Sequence, residues 1–254
     1  MLCFVDADTV LAPETVSAAL GEMTDAGAGL ISLLPRTAAG SFAGRVMLPM
    51  VTHAAFALFP AATINSDRFR EVAAAFGPFI LVTRIAYEAA GGHAAHPDHL
   101  VDDLRLARSV KLAGRSIVLL NGTDLVETRW YRGVAEIWNG FAKNAYSALD
   151  RNPWVASAVI FVLAPLLLSP AVRLVLGILD GNVSTLVVWQ MLLLTANRVL
   201  TANLGRDGVW TAPLHALTVA FWASTLWWSM MLTVTGRDVE WKGRALSTGS
   251  GPKS

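Results

Sequence analysis

Two aspartates separated by one residue are the first candidates for chemistry in this sequence. Asp6 and Asp8 follow an apolar run, Leu2 to Val5, that is typical of a buried strand. At a strand end, side chains two positions apart point the same way, so the two carboxylates can converge. Mg²⁺ and Mn²⁺ prefer such oxygen ligands and bridge them to substrate phosphates. The pair predicts a divalent-cation site for a diphosphate-bearing substrate, although acidic pairs at strand ends also serve as loop caps.

A second acidic pair, Asp102 and Asp103, opens a predicted helix from Val101 to Ala113. The dipole of a helix favours negative charge at its N-terminus, so helix capping is one interpretation of the pair. The other interpretation is that one carboxylate acts as a general base and takes a proton from an attacking hydroxyl. The residues by themselves leave both interpretations open.

Two arginines flank aromatic rings further along the chain. Arg129 and Arg132 enclose Trp130 and Tyr131, just before a predicted amphipathic helix. Guanidinium groups bind phosphate oxygens through paired hydrogen bonds, and an indole ring stacks on a sugar or a lipid head group. The same composition is equally typical of a membrane interface.

Three histidines, His93, His96 and His99, follow one another at three-residue intervals. Imidazoles at such spacing suggest a zinc site. Gly91 and Pro97 instead predict a loop, which lacks the fixed geometry that a structural zinc ion requires. We therefore expect no zinc site here.

The elements that must position these residues alternate between short β-rich runs and helices over residues 1 to 125. This pattern is typical of an α/β fold, a sheet covered by helices. The predicted strands are Leu2–Val5, Gly29–Leu34, Phe79–Val82 and Ser116–Leu120. The predicted helices are Pro13–Asp25, a short helix from Arg84 to Gly91, and Val101–Ala113 closed by Gly114. The single cysteine, Cys3, is expected in the core.

One apolar stretch, Arg45 to Ile64, is interrupted by two prolines and contains His53. It is interpreted either as a segment on a membrane surface or as a buried core helix with a hydrogen-bonded histidine. Contact of Phe56 and Phe59 with lipid would distinguish the two.

The rest of the chain predicts a membrane protein. Only 15% of the residues are charged and 54% are hydrophobic, and most of the charges precede Arg151. Residues 129–152 predict an amphipathic helix that lies in the membrane interface or packs on the soluble domain. Residues 153–236 contain about three apolar segments long enough to span a bilayer, and a basic tail, 237–254, follows. Pro165 and Pro170 should kink or split the first span.

The charge of the chain bears on its binding partners and on its orientation in a membrane. The formal net charge is only +1, which argues against binding to nucleic acid. Arg129, Arg132, Lys143 and Arg151 place the start of the first span in the cytoplasm by the positive-inside tendency, whereas the basic tail leaves the number of crossings open.

Taken in order, the three polar clusters resemble the family 2 glycosyltransferases, whose catalytic domain has the GT-A fold. Asp6 and Asp8 resemble the family's metal and donor-diphosphate motif, and Asp103 matches its catalytic base. Arg129, Trp130 and Arg132 resemble the end of its Gln-x-x-Arg-Trp motif, although Val126 stands where Gln is expected. The resemblance implies an inverting, metal-dependent transfer from a nucleotide sugar, with Mg²⁺ or Mn²⁺ as cofactor and Asp102 in substrate binding.

A narrower resemblance covers residues 76 to 144 and points to bacterial carotenoid- and hopanoid-associated glycosyltransferases. It implies a membrane lipid acceptor of polyisoprenoid type, a multi-pass protein of the bacterial inner membrane with its catalytic part in the cytoplasm, and His93 near the acceptor. Residues 1–128 resemble the C-terminal portion of the GT-A domain, because the family's nucleotide-binding βαβ portion precedes the first acidic motif. We therefore expect this chain to be truncated and weakly active alone. The alternatives are a processive polysaccharide synthase and a catalytically dead membrane scaffold.

Overall fold

The computed structural model describes residues 1–58, 61–95, 101–129, 131, 133–237, 239–241 and 244–246, with only the backbone described for 58, 239–241 and 244–246. The chain forms two compact units. Unit 1 comprises residues 1–40, 51–130 and 201–208, and unit 2 comprises residues 41–50, 131–200 and 209–254.

Both units are built from short strands and helices of very different length. The strands are Leu2–Phe4 (β1), Thr9–Leu11 (β2), Leu30–Leu34 (β3), Arg36–Thr37 (β4), Ile80–Val82 (β5), Ile117–Asn121 (β6), Val126–Thr128 (β7), Val239–Trp241 (β8) and Arg244–Leu246 (β9). The α-helices are Thr15–Ala26 (α1), Phe42–Met47 (α2), Pro49–Leu58 (α3), Ala61–Ile64 (α4), Arg84–Ala89 (α5), Asp102–Leu112 (α6), Val134–Ala148 (α7), Pro153–Ala158 (α8), Ala164–Leu179 (α9), Thr185–Leu204 (α10) and His215–Val234 (α11).

The main sheet of unit 1 has the strand order β1-β5-β3-β6, and β3 is its most deeply buried strand. Strand β3 pairs antiparallel with β5 and parallel with β6. Alternate residues of β3 point to opposite faces, so Leu30 packs with Leu106 and Val110 of α6, whereas Ile31 packs with Met23 of α1. Helices therefore cover both faces, as the α/β prediction requires, although the sheet is mixed rather than parallel.

The sequence-based boundaries of these elements are confirmed within two or three residues. The interpretation of Cys3 as a core residue is wrong, because the thiol is exposed. Strand β1 lies at the edge of the sheet, where one face of a short strand remains open to solvent.

A second sheet of unit 1, with the order β2-β7-β4, is absent from the sequence-based prediction. Its strands contain only two or three residues each, which is too short for an alternating pattern to be recognised. The pairing of Thr9 with Thr128 and of Thr37 with Thr128 joins three distant parts of the chain. It brings the residues after the first acidic motif beside the residues before Arg129.

A loop between α4 and β5 is fixed by two polar side chains, the buried Lys111 and the partly buried Asn65. Lys111 of α6 is 2% exposed, and its Nζ donates hydrogen bonds to the carbonyls of Ile64, at 2.6 Å, and Val72, at 2.7 Å. Asn65 donates to the Leu119 carbonyl and accepts from the Leu119 N–H, at 3.1 and 2.8 Å. The loop is therefore held on β6 and α6 without a strand of its own.

The stretch from Arg45 to Ile64 forms α3, α4 and part of α2. His53 on α3 is 9% exposed, and its Nδ1 lies 2.9 Å from the Thr201 hydroxyl within unit 1. The interpretation of His53 as a hydrogen-bonded core histidine is confirmed. Phe59 lies outside the described residues.

In unit 2 the amphipathic helix α7 packs against α11. Its Tyr146 N–H donates to the Ser229 hydroxyl at 3.0 Å. The ring of Trp138 meets Phe221 edge to face at 5.5 Å, and the ring of Phe141 meets Trp222 at 4.2 Å. Such edge contacts between aromatic rings stabilise the pair beyond the burial of its area. The apolar stripe that predicted α7 is the face that makes these contacts.

Three helical stretches among the described residues are long and apolar enough to cross a membrane: Pro153–Leu179, Thr185–Leu204 and Val209–Val234. The first is continuous and is not split by its prolines. A π-helical segment, Val159–Leu163, ends two residues before Pro165 and accommodates the hydrogen bond that this proline cannot donate. Pro170 has no N–H to donate to the carbonyl of Leu166, four residues earlier. That carbonyl accepts a hydrogen bond from the Ser169 hydroxyl at 3.1 Å instead.

Candidate functional site

The first acidic motif lies in a turn rather than at the end of an extended strand. The Thr9 N–H donates to the Asp6 carbonyl at 3.1 Å, and strand pairing ends at Phe4, opposite Ile80. Pairing stops there because Pro78, just before β5, has no N–H to continue the ladder. The expected alternation of side chains along a strand therefore does not determine where Asp6 and Asp8 point.

Asp6 and Asp103 converge on Gly77. A Cβ added to Gly77 would lie 3.2 Å from Asp6 Oδ2 and 3.5 Å from Asp103 Oδ2. The Gly77 N–H donates to Asp103 Oδ2 at 3.0 Å, and the Leu104 N–H donates to Asp103 Oδ1 at 2.8 Å. Both oxygens of Asp103 are thus held by backbone donors, and a side chain at position 77 would enter the space between two carboxylates.

The packing behind Gly77 fixes its position. Ser32, a fully buried residue of β3, accepts a hydrogen bond from the Phe76 N–H at 2.7 Å through its hydroxyl. The same hydroxyl lies 3.3 Å from the Phe76 carbonyl. The central strand of the sheet therefore holds the residue immediately before Gly77.

Burial and the repulsion between neighbouring carboxylates raise the pKa values of Asp6 and Asp103. Burial is the main cause that raises the pKa of Asp103 to about 6; the hydrogen bonds from Leu104 and Gly77 act in the opposite direction, and Asp102 and Asp6 add to the rise. Burial, followed by the charges of Asp8 and Asp102, raises the pKa of Asp6 as well. A carboxyl group with a pKa near 6 is suited to accept a proton at neutral pH.

The acidic turn offers two carboxylates, those of Asp6 and Asp8, as candidate ligands of a divalent cation. Among residues 1–58 and 61–95 and the other described parts of the chain, no group of three or more His, Cys, Asp or Glu side chains could hold a metal ion. Mg²⁺ commonly binds through one or two carboxylates and takes its remaining ligands from water and substrate phosphates. Asp6 and Asp8, whose charges repel each other, match that donor set.

Arg129 lies next to the acidic turn. Its backbone N–H donates to the Asp8 carbonyl at 3.2 Å, directly after the pairing of β2 with β7. Its side chain is 72% exposed, and its Nε lies 3.4 Å from Glu127 Oε1. A solvated ion pair of this kind is weak, so the guanidinium remains available to a phosphate. Trp130 and Arg132 lie outside the described residues.

His93 lies beside the strand that leads into the acidic turn. Its ring contacts Phe4 edge to face, with centroids 4.7 Å apart, and its Nδ1 is 3.0 Å from the Tyr87 hydroxyl. His96 and His99 lie outside the described residues. Asp102, on the first turn of α6, accepts from the Asp103 N–H at 3.1 Å and faces solvent.

The structure thus brings together Asp6, Asp8, Asp102, Asp103 and the backbone of Arg129. Sequence reasoning assigned no role to Gly77, Ser32 or Tyr87. The dipeptide Gly77-Pro78 ahead of a predicted strand was the available signal, since Gly at such a place marks a close approach of other groups to the backbone.

Comparisons with known proteins give one result. No curated protein and no solved structure matches the chain. The model of one protein family, described as glycosyl transferase family 21, matches residues 1–254. The earlier resemblance is supported at the level of a glycosyltransferase and not at the level of family 2. Because the match covers the whole sequence, the chain belongs to glycosyl transferase family 21.

Proposed function

We propose that this protein transfers a sugar from a nucleotide-sugar donor to a hydroxyl of a membrane lipid of polyisoprenoid type, with inversion at the anomeric carbon. Membership of a glycosyltransferase family supports sugar transfer. The observation that carries the proposed site is the convergence of Asp6 and Asp103 on Gly77. Three apolar helices long enough to cross a membrane favour a lipid acceptor.

The proposed domains follow from this function. Residues 1–128 form the catalytic domain, for which we propose the GT-A fold; residues 129–152 lie at the membrane interface; residues 153–236 span the bilayer; and residues 237–254 form a basic tail. We place the protein in the bacterial inner membrane with the catalytic domain on the cytoplasmic side.

Asp103 is the proposed general base. Its carboxylate takes the proton of the acceptor hydroxyl as the hydroxyl oxygen forms a bond to the anomeric carbon. On the opposite face of the sugar, the bond from that carbon to the phosphate oxygen breaks, and the electron pair leaves with the nucleoside diphosphate. A single displacement of this kind inverts the anomeric centre, and a pKa of about 6 lets Asp103 be ionised at neutral pH.

Asp6 and Asp8 are the proposed ligands of Mg²⁺ or Mn²⁺. Asp6 and Asp8 would hold the ion where it could neutralise charge on a departing diphosphate. Asp102, which is exposed beside Asp103, is proposed to hydrogen-bond a hydroxyl of either substrate. Arg129 and Arg132 are proposed to bind phosphate oxygens, and Trp130 to stack on the lipid acceptor or the sugar.

Transfer to lipid tests the proposal directly. Membranes that contain the full chain are incubated with radiolabelled nucleotide sugars and extracted bacterial lipids, and the product is separated by extraction into organic solvent. We expect labelled lipid, and we expect chelation of divalent cations to lower the rate by more than about tenfold, with recovery on addition of Mg²⁺ or Mn²⁺.

The alternatives give different products in that assay. Label in a water-insoluble polymer would identify a processive synthase, and absence of label in every fraction would favour a membrane scaffold without catalytic activity. A rate that chelators leave unchanged would contradict the roles given to Asp6 and Asp8.

Gly77→Ala tests the convergence of the carboxylates. The new Cβ would meet Asp6 Oδ2 at 3.2 Å, so at least one carboxylate must move by a few tenths of an ångström. We expect the transfer rate to fall by about tenfold, because small displacements of reacting groups are costly. Gly40→Ala is the matched control, since an added Cβ there meets nothing within 4 Å. Equal rates for the two variants would contradict the proposed geometry.

A further inference from the structure

The imidazole of His93 borders the proposed site through Phe4. The two ring centroids lie 4.7 Å apart at an interplanar angle of 70°. Phe4 precedes Asp6 by two residues, and two residues of extended chain reach about 7 Å at most. The ring therefore packs on the last residue of the strand that leads into the acidic turn.

The hydroxyl of Tyr87 contacts both the backbone N–H and the ring of His93. The Tyr87 hydroxyl oxygen accepts from the backbone N–H of His93 at 3.1 Å and lies 3.0 Å from His93 Nδ1. Among the described residues, no other acceptor is recorded for the phenolic hydrogen. The phenolic O–H can donate to Nδ1, and in that arrangement the proton of the neutral imidazole resides on Nε2.

The loop before His93 is shaped for this contact. Gly92 has a φ of +57°, and a Cβ on it would lie 2.6 Å from two carbons of the Tyr87 ring. Only glycine allows both the positive φ and the close approach of the backbone to the ring. Phe4 packs on Tyr87 as well, at 5.5 Å between centroids, so both partners of the hydrogen bond rest on the same strand residue.

We propose that Tyr87 holds His93 in the Nε2–H tautomer, so that the imidazole donates a hydrogen bond to a hydroxyl oxygen of a substrate. This inference rests on the proposed sugar transfer. The hydroxyl belongs either to the sugar of the donor or to the lipid acceptor, and both present the same oxygen to a neutral donor. His93 then binds substrate, and Tyr87 is a positioning residue that acts through His93.

The tautomer is tested by ¹⁵N NMR of the full chain, labelled at histidine and reconstituted in lipid nanodiscs. The His93 signals are assigned by their loss in His93→Gln. We expect Nε2 of His93 to be protonated and Nδ1 to be unprotonated, and we expect Tyr87→Phe to shift the Nδ1 resonance while the other histidines keep theirs. A proton on Nδ1 in the wild-type protein would overturn the assignment.

Kinetics identifies the substrate. His93→Met removes the donor, and we expect it to raise KM for one substrate by about 3- to 10-fold, the range of a single neutral hydrogen bond. Gln places an amide N–H near the position of Nε2, so His93→Gln should recover part of that loss. A rise in KM for the nucleotide sugar assigns the donor, and a rise for the lipid assigns the acceptor.

Equal KM values for His93→Met, His93→Gln and the wild-type protein would overturn the binding role. The two proposals fail in different ways. A wild-type protein that transfers no sugar would refute the proposed function, whereas the NMR measurement reports the tautomer with or without turnover.

Discussion

Asp103→Asn is expected to lower the rate of sugar transfer by about 100- to 10,000-fold, the usual contribution of a general base. Asparagine has nearly the same shape as aspartate but cannot take up the proton of the acceptor hydroxyl. It also turns an NH₂ group toward one of the two backbone donors, Gly77 N–H and Leu104 N–H, that now bind the carboxylate. The measurement is transfer of labelled sugar to lipid under single-turnover conditions.

Two controls separate this loss from misfolding. Asp25→Asn changes an exposed aspartate at the end of α1 and should leave the rate unchanged. Calorimetry should show that Asp103→Asn keeps the affinity of the wild-type protein for the nucleotide sugar, because Asp6 and Asp8 remain. Undiminished turnover of Asp103→Asn would remove Asp103 from the role of base.

If Asp103 is the general base, the rate of sugar transfer by the wild-type protein should depend on pH. Burial raises the pKa of Asp103 to about 6, so the carboxyl is neutral below that pH and cannot accept a proton. The rate of the chemical step should fall by about tenfold per pH unit below pH 6 and level off above it. The residual rate of Asp103→Asn should lack this bend. A bend near pH 4 in the wild-type profile would mean that Asp103 is not buried in the working enzyme.

The main sheet could be predicted because each of its strands is a short run of mostly apolar residues that is recognisable from the local sequence. All five residues of β3 are apolar or small and all are buried, and Gly114, which closes α6, adopts a φ of +75° as the sequence indicates. The second sheet could not be predicted, since strands such as Arg36–Thr37 are defined by their partners and not by their own pattern.

The acidic site was also predictable only in part. The carboxylates of Asp6 and Asp103 indicate possible acid–base chemistry, and the spacing of Asp6 and Asp8 suggests a cation site. Their meeting at Gly77 depends on contacts between positions far apart in the chain, which no local spacing encodes. The contact between the Tyr87 hydroxyl and His93 spans two glycines in left-handed conformation, so helical periodicity gives no indication of it.

Lys111→Met is expected to lower the free energy of unfolding by about 3 kcal/mol, because it leaves the buried carbonyl of Ile64 and the carbonyl of Val72 without a donor. Lys111 Nζ donates to Ile64 and Val72 at 2.6 and 2.7 Å, and methionine has a similar length without a donor. The volume of the side chain is nearly kept, so a cavity contributes little. Differential scanning fluorimetry in detergent measures the shift in Tm, and Arg115→Met, at an exposed cation just beyond α6, is the matched control.

The cost of burying the Lys111 ammonium opposes the stabilisation from its two hydrogen bonds, so the direction of the change in Tm shows which of the two is larger. Burial lowers the pKa of Lys111, with Asp67 acting in the opposite direction, so the ammonium loses hydration when the protein folds. If that loss outweighed the two hydrogen bonds, Lys111→Met would unfold at the same temperature as the control or above it. We expect destabilisation, because the two carbonyls belong to the last residue of α4 and to the loop that follows it and have no second donor among the described residues. A loosened loop would also weaken the hydrogen bond from Gly77 to Asp103, so the transfer rate should fall together with the Tm.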